Sequence, residues 1–447
     1  MKVNLLKDRI LKMFFLLFVS AVGSTIIQTI YSSVDMICVG RYAGPNGTAA
    51  ISCMNPLWSI MVSPGVLVGV GGAVMMGNRR GAGDIEAGNE YFTLSTALSV
   101  FFSLIIFTAY TVFPEQLLRF FSADGEVLEL AVRYIRCIAI VSPTFTVCCC
   151  LATLMRNEGE TVVPAVATII GGVINVVLDI LFVFDFGAGL GIFGAGLATA
   201  IGQVVAFSII LGYFFTKKCT LRFTKPTKIL NKLTRIFALG TPAFIIEISF
   251  GVTVTVFNRV ITGAMTYDHL AVYGTASSVL GMTYGLLVGV GTALQPIVAA
   301  NFGAEVHSRV KSALKIGIVT AFLMGVLFFA AIQLFPEVIL NLYIDTNDTI
   351  LEIGPKIITT YCLALPISGI TIAIGYYLQS VLRQWMSLTV SLLRGLILPV
   401  AFVLALPLVS GIDAVWLAIP CAELVTFIVA LIFLIITGSK KLLPQSD

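Results

Sequence analysis

Residues 65–73 read Gly65-Val-Leu-Val-Gly69-Val-Gly-Gly-Ala73, and residues 285–293 read Gly285-Leu-Leu-Val-Gly289-Val-Gly-Thr-Ala293. The two stretches differ at two positions in nine and lie 220 residues apart (285 − 65). At the same offset Gly83 meets Gly303. Phe113-Pro114-Glu115 then meets Phe335-Pro336-Glu337 at an offset of 222. Pro143 meets Pro366, and Leu151–Arg156 (LATLMR) meets Leu378–Arg383 (LQSVLR). Matches that stay in order over most of both halves mark a duplication. The Gly-xxx-Gly spacing in each copy suits helices that pack closely in a bilayer.

The composition places those helices in lipid. Of 447 residues, 58% are hydrophobic and 11% charged, with a mean hydropathy of +1.01. A soluble domain carries roughly 25% charge, so this chain has too few charges to cover a water-facing surface. About 20 apolar residues cross a bilayer as a helix. Twelve stretches qualify, near 13–39, 49–76, 92–113, 130–153, 162–184, 193–215, 236–262, 270–298, 314–335, 355–382, 386–408 and 413–437. Clusters such as Gly44-Pro45-Asn46-Gly47 punctuate them. The apolar stretch after the basic start runs to about Val39, too long for a secretory leader, and reads as a retained first span.

Basic residues test the count. Lys2, Lys7, Arg9 and Lys12 precede the first span. Arg79 and Arg80, Arg156, the run from Lys217 to Arg235, Arg309 with Lys311 and Lys315, and Arg383 fill the even loops. Lys440 and Lys441 follow the last span. Odd loops are poorer in basic residues, and two are mainly acidic. The pattern fits an all-α polytopic protein of twelve spans, with both termini cytoplasmic and two six-helix repeats forming two lobes. The expected divisions are a first lobe 1–215, a basic cytoplasmic linker 216–235 and a second lobe 236–447. An even number of spans per repeat relates the halves by an axis along the membrane normal, an arrangement that builds transporters.

Other functions fit less well. A net charge of +4 gives no case for nucleic acid. The nine cysteines, including Cys148-Cys149-Cys150, lie mostly in apolar runs and read as packing residues. His269 and His307 are expected in loops, which leaves no histidine-based metal or general-base site, and no cofactor is expected. A membrane-embedded enzyme would need a nucleophile, a base and often a metal site, and a passive channel would more naturally repeat a pore-lining polar motif.

The chemistry then rests on polar residues inside spans, where a charge costs about 2.5–3.5 kcal/mol. Asp35 lies toward the outer end of the first span, with Gln28 two turns earlier on nearly the same face. Asn175 and Asp179 share a face of the fifth span at i, i+4. These two carboxylates and two amides offer oxygens for Na⁺, or carboxylates that hold a proton once removed from water. In the second half, Glu247 and Asn258 lie in the seventh span, Gln295 in the eighth, Arg394 in the eleventh and Glu423 in the twelfth. Arg394 can pair with either Glu247 or Glu423.

The segment Tyr31-Ser-Ser-Val-Asp35-Met-Ile-Cys-Val-Gly40-Arg41 resembles the first helix of the multidrug and toxic compound extrusion (MATE) transporters. Gly81-Ala-Gly83-Asp84, Asn175-Val-Val-Leu-Asp179, Gln295-Pro296 and Asn301-Phe-Gly303-Ala304 are similar to that family too, and closest to its bacterial MepA-like branch. The resemblance covers nearly the whole chain. It implies an antiporter of the bacterial cytoplasmic (inner) membrane that functions as a monomer and exports amphipathic, often cationic drugs against H⁺ or Na⁺. It maps the ion onto Asp35, Asn175 and Asp179, and Gln28 onto the first-lobe cavity; Glu247, Asn258 and Gln295 are the second-half candidates for substrate. Two positions depart from the family. Ser20 stands where many relatives have a proline fifteen residues before the aspartate, and Phe250 stands where some carry a glutamate. A lipid-linked saccharide flippase of the same superfamily is the alternative, but its cavity should hold several arginines for pyrophosphate.

Overall fold

The computed structural model describes residues 3–121, 123–185, 187–344 and 348–439. Among the described residues, twelve helices are long and apolar enough to cross a membrane. They are Ile10–Gly44, Asn46–Gly81, Ile85–Val112, Gly125–Asn157, Val162–Val183, Gly191–Phe214, Ile229–Ala264, Asp268–Gly303, His307–Leu334, Asp348–Ser380, Gln384–Ser410 and Ile412–Gly438, numbered here as spans one to twelve. Several overrun their apolar stretches by a turn or more: the fourth, expected over 130–153, runs Gly125–Asn157. Hydropathy marks only the part that must face lipid. The helix continues outward because its backbone bonds are internal and need no apolar sequence. Spans one and two are nearly continuous and part at Gly44, whose φ of 61° and ψ of −148° break the helix. His269 and His307 are corrected by this geometry: both lie in the first turns of helices, not in loops.

The duplication is visible in backbone geometry. Pro114 and Pro336 each open a short helix, Pro114–Phe120 and Pro336–Tyr343. A proline is tolerated at a first helical position because the N–H it lacks would have no partner there. Four inter-span turns share another device, in which one residue adopts a left-handed conformation and the next N–H reaches back five residues. Gly83 (φ 88°) precedes Asp84 N→Arg79 O at 2.9 Å, and Gly159 (φ 90°) precedes Glu160 N→Met155 O at 3.0 Å. In the second half Glu305 (φ 59°) precedes Val306 N→Asn301 O at 2.9 Å, and Leu382 (φ 61°) precedes Arg383 N→Leu378 O at 2.8 Å. The structural counterpart of Gly83 is therefore Glu305, not the Gly303 matched at offset 220; Gly303 ends its helix. The shift to an offset of 222 occurs before this turn, while the turn outlasts the loss of its glycine.

Packing divides the chain into two compact units, Met1–Asp8 with Val19–Phe244, and Arg9–Phe18 with Ile245–Asp447. In the first unit Met54, Leu57, Met61, Tyr134, Ile135, Ile138 and Val183 form a buried core, with Trp58 edge-on to Phe145 at 4.8 Å. The quoted glycine stretch explains the close helices here. A Cβ on Gly65 would overlap the Thr146 carbonyl oxygen, and one on Gly69 would sit 2.9 Å from the Cys150 Cα. Cys149 and Cys150 thus lie against the glycines as small packing residues, and all nine cysteines are free thiols. In the second unit Phe257 stacks on Tyr273 at 4.8 Å, and Tyr361 meets both rings edge-on.

The expected linker 216–235 does not stand apart. It packs on the first unit, as does the start of the seventh span. Cβ atoms on Gly71 and Gly240 would overlap the Ile236 and Leu67 carbonyl oxygens respectively, so the second and seventh spans touch backbone to backbone. The division between units accordingly falls at 244/245. The even loops of the first unit also gather at one end. Val3 N donates to Gly159 O at 2.9 Å. Arg80 donates to Thr220 and Asn89, and Thr220 donates to Glu158.

Candidate ion and substrate site

Glycines bring spans one, five and six of the first unit together. A Cβ on Gly171 would meet the Gly202 carbonyl oxygen at 2.7 Å, and one on Gly202 would meet that of Gly171 at 2.6 Å and the Asn175 Cβ at 3.1 Å. A Cβ on neighbouring Gly172 would press on Tyr31 at 3.0 Å and Ile27 at 3.2 Å. One glycine pair thus seats the fifth span against both neighbours. It carries Asn175 and Asp179, one and two turns on, into the interior beside the first span.

Asp35, Asn175 and Asp179 are all buried, Asp179 completely. Tyr134 of the fourth span donates to Asp35 Oδ2 at 2.6 Å. Asn175 Nδ2 donates to Thr199 Oγ1 at 3.1 Å, and Thr199 in turn faces the Tyr134 hydroxyl. A chain of hydrogen-bonding groups therefore runs from Asn175 through Thr199 and Tyr134 to Asp35. Asp179 lies within electrostatic reach of Asp35. Four oxygens stay unpartnered among the described residues: Asp35 Oδ1, Asn175 Oδ1 and both carboxylate oxygens of Asp179. Buried polar atoms are nearly always hydrogen-bonded, and a buried charge without a partner is costly. Among the described residues no side chain, cationic or neutral, donates to these four acceptors. Oxygen donors of this kind suit a hard ion or protons.

The other sequence candidates do not join this cluster. Gln28 is exposed beside Tyr31. Glu247 and Asn258 are exposed on the seventh span. Gln295 is buried and donates to Gln379 at 3.2 Å. Tyr134 and Thr199 were missed, since a lone hydroxyl in an apolar helix gives no sequence signal. Ser20, at the family's proline position, donates to Thr161 O at 2.6 Å within a continuous helix.

This duplicated, twelve-span frame matches known proteins. The MatE family model matches residues 21–181 and 242–404, one segment in each half. The chain belongs to the MatE family. Among curated relatives, the "Multidrug export protein MepA" of Staphylococcus saprophyticus is 26% identical over 86% of this chain and 84% of its own length. The "Probable multidrug resistance protein YoeA" of Bacillus subtilis is 24% identical over 91% of this chain and 89% of its own. A MOP superfamily transporter from Pyrococcus furiosus superposes with a TM-score of 0.89 at 23% identity, over 98% of both chains. A "multidrug resistance MATE family transporter" solved in an outward-facing conformation gives 0.86 at 24% identity, over 97% of this chain and 96% of that one. The polytopic fold, the MATE relationship and the transporter class follow.

This MatE chain has different chemistry in its second unit. Arg394 lies in a π-helical turn, Leu393–Ile397, inside the eleventh span. Its Nε donates to Glu423 Oε1 at 2.7 Å, so Glu423 rather than Glu247 is its partner. Tyr284, just before the quoted Gly285, donates to the same oxygen at 2.8 Å, and its ring lies 4.6 Å from the guanidinium carbon. Asp35 and Asp179 of the first unit are buried without a cationic partner among the described residues, whereas Glu423 of the second is buried and paired.

Proposed function

We propose that this protein is a secondary active antiporter that exports amphipathic, cationic drugs or toxins from the bacterial cytoplasm in exchange for H⁺ or Na⁺. The observation that carries this reading is the set of four unpartnered buried oxygens on Asp35, Asn175 and Asp179. A cation arriving there neutralises the carboxylates and lowers the attraction for a cationic substrate. It drives a conformational change only through its different affinity for the two states. The MepA and YoeA relatives, described as multidrug export and resistance proteins, support the substrate class. Gln28, Glu247 and Asn258, exposed polar residues on apolar helices, are the proposed substrate contacts. Gln295, buried and bonded to Gln379, is the fourth proposed cavity residue. The positive-inside bias of the sequence supports a cytoplasmic side for the basic loops and for both termini, and the protein works as a monomer. Arg394, neutralised by Glu423, does not supply the arginine cluster that a lipid-linked pyrophosphate would require.

The test is export of a cationic dye from proteoliposomes under separate pH and Na⁺ gradients. The gradient that drives wild-type export identifies the coupling ion. Asp35→Asn is expected to fold and to lose export; wild-type export from folded D35N would overturn the proposal.

A further inference from the structure

The first unit presents a basic surface that cation coupling does not use. Between Asp185 and Glu247 the sequence contains no acidic residue, while residues 217–235 carry Lys217, Lys218, Arg222, Lys225, Lys228, Lys232 and Arg235. The segment is fixed in place. Glu158 accepts hydrogen bonds from Thr220 N and Oγ1 at 2.6 and 2.5 Å. Glu90 accepts from Thr227 and from Lys232. Cys219 and Leu221 turn inward and are buried. Glu90 and Glu158 are thus engaged in pinning this segment, and Lys217, Arg222, Lys225 and Lys228 remain exposed.

Large apolar side chains share this outer surface. Phe215 is 90% exposed, Leu230 76% and Phe223 68%. Phe215 directly follows the sixth span, and Leu230 lies in the first turn of the seventh. The Phe223 ring lies 4.9 Å from that of Phe92 on the third span, which anchors it at the same level. Water does not favour such rings. A bilayer interface does, where the ring enters the acyl boundary and neighbouring lysines meet headgroups. A soluble acidic partner would satisfy the lysines but would not reach rings placed where helices enter the bilayer.

We propose that residues 215–230 form a docking site for anionic phospholipid headgroups, with Lys217, Arg222, Lys225 and Lys228 meeting the phosphates and Phe215, Phe223 and Leu230 seated in the boundary beneath. Clustered basic residues beside a span attract acidic lipids in this way.

The test uses the full chain carrying Phe223→Trp in liposomes containing brominated phosphatidylglycerol or, separately, brominated phosphatidylcholine at equal mole fraction. Quenching of the native tryptophans, measured in the wild type, is subtracted. Quenching of the F223W indole is expected to be at least about twofold stronger with the anionic lipid. The preference should vanish when Lys217, Arg222, Lys225 and Lys228 are all replaced by Gln, with thermal stability and zwitterionic-lipid quenching unchanged. Equal quenching by both lipids overturns the proposal, as does a preference that survives the fourfold replacement. Inorganic phosphate or polyglutamate that abolishes the preference, where chloride at equal ionic strength does not, assigns the surface to a soluble anion or an acidic protein instead.

Discussion

The Tyr134 hydroxyl, on the fourth span, donates a 2.6 Å hydrogen bond to Asp35 on the first, while Asp179, completely buried beside them, receives none. The two carboxylates of one site thus start from unequal positions. Tyr134 supplies a donor to one of them, whereas the other has none among the described residues.

Replacing Tyr134 by Phe should therefore strengthen cation uptake. A hydrogen bond to a charged group contributes roughly 1.5–3 kcal/mol. Its loss should lower the coupling-ion concentration for half-maximal export by about tenfold or more. Export measured against a graded ion gradient reads this directly. An unchanged midpoint would mean that Tyr134 holds Asp35 in place without tuning it.

Asp179→Asn removes a buried carboxyl group to which no donor is bonded among the described residues. The variant should be at least as stable to heat as the wild type and yet have no ion-driven export. A strong loss of stability would instead show that Asp179 supports the fold.

The Arg394–Glu423 pair should behave in the opposite way. Both side chains are almost fully buried, at 9% and 3% exposure. Arg394→Met strands Glu423, which should cost about 3–5 kcal/mol. The double variant R394M/E423L should recover most of that loss, since apolar replacement of a buried pair is often neutral. Equilibrium unfolding of the four proteins in a mutant cycle supplies the numbers. Additive effects would exclude a coupled pair.

Glu305→Gly should stabilise the protein. Glu305 is exposed and holds φ at 59°, a left-handed conformation that costs an ordinary residue about 1–2 kcal/mol. The equivalent Gly83 already avoids that cost. A rise of a few degrees in the melting temperature, with export unchanged, is the expected result. A fall would show that the Glu305 side chain contributes more than its backbone strain costs.

The spans could be read from the sequence because lipid demands long apolar runs, and the repeat could be read because paired prolines and glycines punctuate both halves. Asn175 and Asp179 were legible for a related reason, as polar groups one turn apart in an apolar helix. Pairings that only packing decides were hidden. Glu247 and Glu423 were equal candidates for Arg394 until the eleventh and twelfth spans were seen side by side. Gly83 was matched with Gly303 because both are glycine, although the backbone equivalent is Glu305. Tyr134 and Thr199 could not be singled out among so many hydroxyls. The basic run 216–235 read as a linker because charge density says nothing of Glu90 and Glu158, the distant acids that hold it down.

The contrast between the unpaired carboxylates and the Arg394–Glu423 pair has an electrical consequence. Displacing one charge across a membrane changes its energy by about 2.3 kcal/mol per 100 mV. The buried pair of the second unit is neutral and feels no net force. Asp35 and Asp179, when ionised, carry charge whose energy depends on voltage, and each proton or monovalent cation bound there would offset one of those charges. Under the proposed coupling, membrane voltage acts on the first-unit carboxylates and leaves the neutral Arg394–Glu423 pair of the second unit unaffected.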